Sequence, residues 1–277
     1  MTRYVNLNAY NGGIDADDPH EHRRHEQTLT LAQLDPPPTF VGIQEATGWH
    51  RDGWKRLHQL ANVLDMVALH PVTSHVGDGE NATALLYRPS AARLLSYTPG
   101  VAVEAFHHGL LRGTFDIDGR DVMVLVTHLN PFDGGARLAE AKRLTDYAGT
   151  FPGTPDRVVL LMDGNIPSDD DPEPDWETGA PAHLHARYRI VNEDGSFGSM
   201  DRRAMGALKA ASWSDPQDHL AIQREATVGH WYPNEPTPLH LDHILTSGPI
   251  TPRAYWTIDT PKARTLSDHL PCVLDTD

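Results

Sequence analysis

Apolar runs of strand length recur along this chain, and each ends on a polar residue. Tyr4 to Asn8, Phe40 to Gln44, Val122 to Val126 and Val158 to Met162 read as buried strands. They lead into Asn8, Glu45, Thr127-His128 and Asp163-Gly164-Asn165, while Asp242 and Ser267-Asp268-His269 stand beside strand-like segments near the end of the sequence. Strands arranged this way gather carboxylates, amides and imidazoles at one edge of a sheet. Clustered polar groups cost stability unless cations or hydrogen bonds compensate, so the pattern points to chemistry.

Helical patterns fall between the strands, and no composition break marks a boundary, so one domain over residues 1–277 is expected. The first helix is expected near Glu21 to Leu34, because Asp35-Pro36-Pro37-Pro38 stops it. A second near Asp52 to Leu64 carries Trp54, Leu57, Leu60, Ala61 and Leu64 on one face. Leu111 to Ile117 and Val122 to Thr127 flank Asp118-Gly119 and read as a hairpin. Further helices are expected over Gly135 to Tyr147 and near Met200 to Ala211, and strands over Ala254 to Ile258, Leu241 to Thr246 and Pro271 to Leu274. Ser168 to Pro181, acidic and proline-rich, reads as a polar loop.

The 277 residues are 39% apolar and 22% charged, an ordinary balance for a globular chain. No apolar run approaches the roughly 20 residues of a membrane span. Met1 to Tyr10 lacks both a basic start and an apolar secretory segment, so a cytoplasmic protein with no membrane partner is expected. The one cysteine, Cys272, excludes an internal disulfide and a multi-thiolate zinc site. A net charge of −15 disfavours a groove that tracks nucleic acid, although a bound cation can reverse the sign of a local carboxylate cluster. Only four lysines occur (Lys55, Lys142, Lys209, Lys262), an arginine-rich usage in keeping with a GC-rich bacterial genome.

In their order along the chain these motifs resemble the endonuclease/exonuclease/phosphatase superfamily, best known for the deoxyribonuclease I fold. The pieces are Asn8 to Gly13, Ile43-Gln44-Glu45, Ala84 to Pro89, Thr127-His128-Leu129, Arg137 to Leu144, Met162 to Asn165, Leu241 to Leu245 and Ser267 to Pro271. The resemblance implies an α/β fold: a four-layered α/β/β/α sandwich of two packed mixed sheets flanked by helices, with the active site at one end of the sheets.

It also implies a divalent-metal-dependent phosphoesterase. A phosphodiester repels nucleophiles, and an oxygen-liganded cation neutralises charge that builds up in its transition state. Glu45, Asp268 and Asn8 are the implied ligands, and oxygen donors favour Mg2+ or Mn2+ over zinc. Asp163 and Asn165 lie across the cleft, to hold the attacking water or a second cation. His269 activates the water, with Asp242 holding its tautomer, while His128 donates to the phosphoryl group. Asn81 takes the place of a polar partner for the phosphate, with Glu80 as its rival.

Taken singly, the same residues have plainer readings. Asp163 and Asn165 suit a turn or helix cap, Glu45 a solvated strand end, Asp268-His269 a loop cap and His128 a hydrogen-bonded core position. The motif order decides for function. His20, His22 and His25 read as a solvated helix start, and Trp231-Tyr232 as core packing or a stacking surface. The chain departs from relatives at Gly164, where a bulky residue is common and the backbone is expected to be freer. It departs also at His240 and His243 around Asp242, and at Glu140, which replaces a common glutamine. With no basic, aromatic-interleaved stripe, the expected substrate is a small or specialised phosphodiester or phosphomonoester, and nucleic acid is not favoured. The alternatives are a repurposed metal-binding member acting on a small molecule without phosphoester hydrolysis, and a nonspecific DNA endonuclease. The oligomeric state stays open.

Overall fold

The computed structural model describes residues 1–149 and 152–277. Its strands in chain order are β1 (Thr2–Asn8), β2 (Phe40–Gln44), β3 (Val67–Ala68), β4 (Val72–Thr73), β5 (Ala82–Tyr87), β6 (Arg93–Thr98), β7 (Leu110–Ile117), β8 (Arg120–His128), β9 (Arg157–Asp163), β10 (Arg189–Val191), β11 (Phe197–Met200), β12 (Asp242–Ser247), β13 (Pro252–Thr257) and β14 (Cys272–Thr276). The α-helices are α1 (His22–Ala32), α2 (Lys55–Val63), α3 (Gly134–Ala148), α4 (Ala182–Tyr188), α5 (Arg203–Ala210) and α6 (Pro216–Leu220).

β1 and β2 are buried at every position, as befits strands paired on both edges and covered on both faces. They run parallel to each other at the centre of one sheet, ordered β13-β14-β1-β2-β5-β3, with β4 also on β5. The second sheet, β12-β9-β8-β7-β6, has its own parallel pair, β8 and β9. All other pairings are antiparallel. Both sheets are therefore mixed.

The sheets pack face to face through Tyr4, Phe40, Leu85 and Leu274 on one side and Phe115, Val124, Val126 and Leu161 on the other. Each such side chain contributes about 1.5–3 kcal/mol by leaving water. At Gly42 the sheets come so close that an added Cβ would sit 2.9 Å from Leu161 Cβ. Outside, Leu31 of α1 and Leu57 and Leu60 of α2 cover Val41 and Ile43, and Leu144 of α3 with Met205 and Leu208 of α5 cover Leu125 and Leu160. The result is the expected four-layered α/β/β/α sandwich.

α3 starts where Asp133 Oδ1 accepts the backbone N–H groups of Gly135 and Ala136, a side-chain N-cap. α2 starts later than its apolar spacing suggests, because Trp54 has φ 64° and precedes the helix. The Ser168 to Pro181 loop has no helix or strand, but Lys209 binds Asp169 and Arg224 binds Asp170. Among the described residues no helix is long and apolar enough to cross a membrane.

Candidate active site

The register explains why the polar motifs meet. β1, β2, β8 and β9 end on the same side, at Asn8, Gln44, His128 and Asp163, and β12 begins there because Asp242 pairs with Asp163. Asp268 and His269 precede β14, which runs antiparallel to β1. Just beneath, buried Asn6 of β1 donates from Nδ2 to Met162 O at 3.0 Å and accepts from Gln44 Nε2 at 2.8 Å. The two sheets are thus tied directly under the site. Glu45 and Asn165 turn off their strands with φ 53° and 49°; such left-handed backbone costs a non-glycine residue of order 1 kcal/mol and tends to gather where function demands it.

At the centre lies Asp163, 1% exposed. Its Oδ2 accepts from Asn8 Nδ2 at 2.8 Å and is 3.3 Å from His128 Nε2, and its Oδ1 accepts the Asn165 N–H at 3.1 Å. Burial pushes the Asp163 carboxyl up, yet His128, His269 and the Asn8 and Asn165 donors outweigh it and hold it below the usual carboxylate range. His269 Nδ1 lies 2.8 Å from Asp242 Oδ2 and 3.7 Å from Asp163 Oδ2. Burial disfavours its charge, but Asp242, Asp163 and Asp268 raise it well above the ordinary histidine range.

Asp268 is the least compensated acid. Its Oδ1 is buried and, among the described residues, has no hydrogen-bond partner. Burial, with the charges of Glu45, Asp163 and Asp242, pushes its carboxyl up to about 7 against the lowering effect of His269. Glu45 is half-buried, and its Oε2 accepts the Asn11 N–H at 3.0 Å. Glu45 and Asp268 are hard oxygen donors in a surplus of negative charge, which fits a magnesium-like cation. Asp163, Asp242 and His269 also place ligand atoms within 4.8 Å of one another, but the contacts among them already engage His269 Nδ1 and the Oδ2 atoms. Asn8 turns its amide nitrogen to Glu45 and Asp163 while its oxygen accepts the Tyr10 N–H.

Glu45, His128, Asp163, Asn165, Asp268 and His269 line a cleft of about 720 Å³, with Asn8 and Asp242 behind them. Asn81 borders it with a buried Oδ1 that has no partner among the described residues; Glu80 instead pairs with Arg51 at 2.7 Å and is not part of the lining. His128 Nδ1 is likewise buried without a partner, and the His108 ring lies 4.3 Å from its ring. Burial, with the neighbouring imidazoles of His128, His107 and His75, pushes His108 down to about 2, so it is neutral. His107 and His108 were not singled out from sequence; the paired histidines just before the Leu110 strand are the signal that could have found them.

One expectation changes, and the departures around it find their reasons. Gly164 serves space rather than backbone freedom: an added Cβ would lie 3.3 Å from His243 Cδ2, Ile166 Cγ1 and Met162 Cε. His243 fills that space, with Nε2 2.7 Å from Ile166 O, and His240 Nδ1 lies 2.6 Å from Glu225 O; neither lines the cleft. Of the two readings of Trp231 and Tyr232, the surface one accords with their place on the rim, packed on Tyr10. The acidic loop contributes nothing to the lining.

Among curated proteins none matches the chain by sequence. In structure it resembles an endonuclease/exonuclease/phosphatase from Bacteroides vulgatus, with a TM-score of 0.71, 15% identity, and 100% of this chain and 98% of that chain covered. A mannosyl-6-phosphatase from Bacteroides thetaiotaomicron gives a TM-score of 0.67 at 14% identity, with both chains fully covered at 100%. D. rerio TDP2 complexed with single strand DNA product gives 0.67 at 15% identity, over 100% of this chain and 98% of that one. A sequence model described as the endonuclease/exonuclease/phosphatase family matches residues 5–269, so the motif order, the sandwich and the match agree: the chain belongs to that family.

Proposed function

We propose that the protein is a divalent-metal-dependent phosphoesterase acting on a small phosphoester. The observation that carries this reading is the convergence of an Asp242–His269 pair, 2.8 Å apart, with the half-buried carboxylate of Glu45 and the undercompensated one of Asp268. Glu45 and Asp268 would hold Mg2+ or Mn2+, and the bound ion supplies neutralisation of charge on the phosphoryl oxygens. Asn8 keeps Glu45 and Asp163 in place by donating to both.

Asp242 accepts from His269 Nδ1, which leaves Nε2 to take a proton from the attacking water. Asp163 and Asn165 border the water's side of the cleft, and His128 and Asn81 are the neutralising hydrogen-bond donors for the phosphoryl oxygens. A base must begin unprotonated. Asp268, one of the carboxylates that raise His269, is one whose charge a cation would offset, so a bound cation would favour the neutral imidazole.

The charge of the lining supports a small substrate. Glu45, Asp78, Asp163, Glu235 and Asp268 face the cleft, against one guanidinium, Arg187. A polyanion needs the reverse balance. The DNA-bound neighbour keeps a nuclease reading in view, and the mannosyl-6-phosphatase accords with a small ester.

The test is release of p-nitrophenol from bis(p-nitrophenyl) phosphate with Mg2+ or Mn2+, with EDTA and His269→Ala as controls. Metal-dependent release lost in the variant supports the reading. Metal binding by folded protein without turnover on this or a panel of phosphomonoesters would sink it in favour of a repurposed small-molecule role.

A further inference from the structure

Behind the histidine wall of the cleft stands a buried carboxylate with no part in the chemistry above. Glu140, on the buried face of α3, is 4% exposed. Its Oε1 accepts the backbone N–H of His107 at 2.6 Å, and its Oε2 accepts the backbone N–H of Asn130 at 2.8 Å. The two donors come from different loops: His107 precedes β7 and Asn130 follows β8. One loop supplies His107 and His108 to the cleft, and the other continues from His128. They touch again where Asn130 Nδ2 lies 3.0 Å from His107 Nδ1, and where the His108 and His128 rings meet.

Both partners of Glu140 are donors, so both of its oxygens must accept. An ionised carboxylate offers two acceptors. The isosteric amide offers one and turns an N–H toward the other backbone N–H. Burial pushes the Glu140 carboxyl up to about 7, while the Asn130 and His107 N–H groups and Arg137 favour its charged form. Arg137, one turn earlier on α3, donates to Asn130 O at 3.0 Å and braces the same loop.

We propose that Glu140 is a positioning residue whose two carboxylate oxygens clip the His107–His108 loop to the His128–Asn130 loop and so set the spacing of the imidazoles that border the substrate. Only its effect on turnover rests on the phosphoesterase reading. The clip stands on the hydrogen bonds alone.

NMR of the full chain tests it, with bis(p-nitrophenyl) phosphate turnover as a second readout. In the wild type, charge-assisted bonds this short place the His107 and Asn130 amide protons at low field and protect them from solvent exchange. Exchange at the rate of free loop amides would overturn the clip without any variant. In Glu140→Gln one of the two amides loses that shift, and the ring 15N signals of His107, His108 and His128 move. Kcat/KM falls about tenfold, chiefly through KM, from loss of one charge-assisted bond. Glu140→Asp, which keeps both acceptors, recovers part of the loss.

Unchanged amide and ring signals in Glu140→Gln overturn the clip. Moved signals with wild-type kcat and KM overturn the positioning role. Absence of turnover in the wild type counts against the phosphoesterase reading, and the spectra then decide the clip by themselves.

Discussion

On the proposed reading, a bound cation would act on His269 and Asp268 in ways that can be measured singly. Asp242, Asp163 and Asp268 hold His269 above its ordinary range against the effect of burial. Saturating Mg2+ is therefore expected to lower the His269 midpoint, read from its ring 15N signals; an unmoved midpoint places the cation elsewhere. Asp268 titrates at about 7 because of burial and its acidic neighbours. Only the carboxylate binds metal, so apparent Mg2+ affinity should rise with pH up to about 7 and then level off, and calorimetry across that window checks the sign. Replacing His269 by Ala is expected to cost about 10²–10⁴ in turnover. The Asp242–His269 contact was legible from motif order, although the residues are 27 apart in sequence. The direction of the Asn8 amide was not, because it depends on which oxygens surround it after folding.

At the scale of elements, the site is held by contacts between strands that sequence does not pair. The Asn6–Met162 bond joins the two sheets, and the Asn6–Gln44 bond holds its amide in place from the neighbouring strand. Asn6→Ala leaves Gln44 Nε2 buried without its acceptor, so urea unfolding should show a loss of about 1–3 kcal/mol. Gly42→Ala forces a Cβ against Leu161 and should cost about 1–3 kcal/mol by overpacking; a stability within 0.5 kcal/mol of wild type, about what a neutral surface change gives, would mean the sheets separate easily. α2, α3 and α5 were readable because each buries apolar side chains, whereas α1, whose buried side is mostly polar with Leu31, was readable from the proline run that stops it. β6 was not, since it is a largely exposed edge strand, and β10, β11, α4 and α6 are too short to set up a period.

For the whole molecule, the net charge of −15 and the acidic cleft mean that, on the proposed reading, a bound cation would be a folding ligand as well as a reagent. Mg2+ at a hundredfold excess over its dissociation constant should stabilise the chain by about 2.7 kcal/mol, with a melting temperature that rises accordingly and falls back in EDTA. Supercoiled plasmid should stay intact at low salt, where attraction to DNA is greatest. Nicking abolished by EDTA would favour the endonuclease instead.

Much was settled by the sequence itself: the strand-ending motifs, their order, and so the family, the layers and the identity of the polar groups brought to one edge. The elements are local information, carried by apolar periodicity and by the residue that ends each run, while the layers followed from the family that the motif order resembles. Tertiary structure decided the rest. Whether Asn81 or Glu80 faces the cleft, why Gly164 is glycine, why His240 and His243 are core, and that Glu140 joins two loops all follow from distances between segments far apart in the chain. Those distances are set by how two twisted sheets pack, and a side chain's role at their edge depends on the partner it meets there.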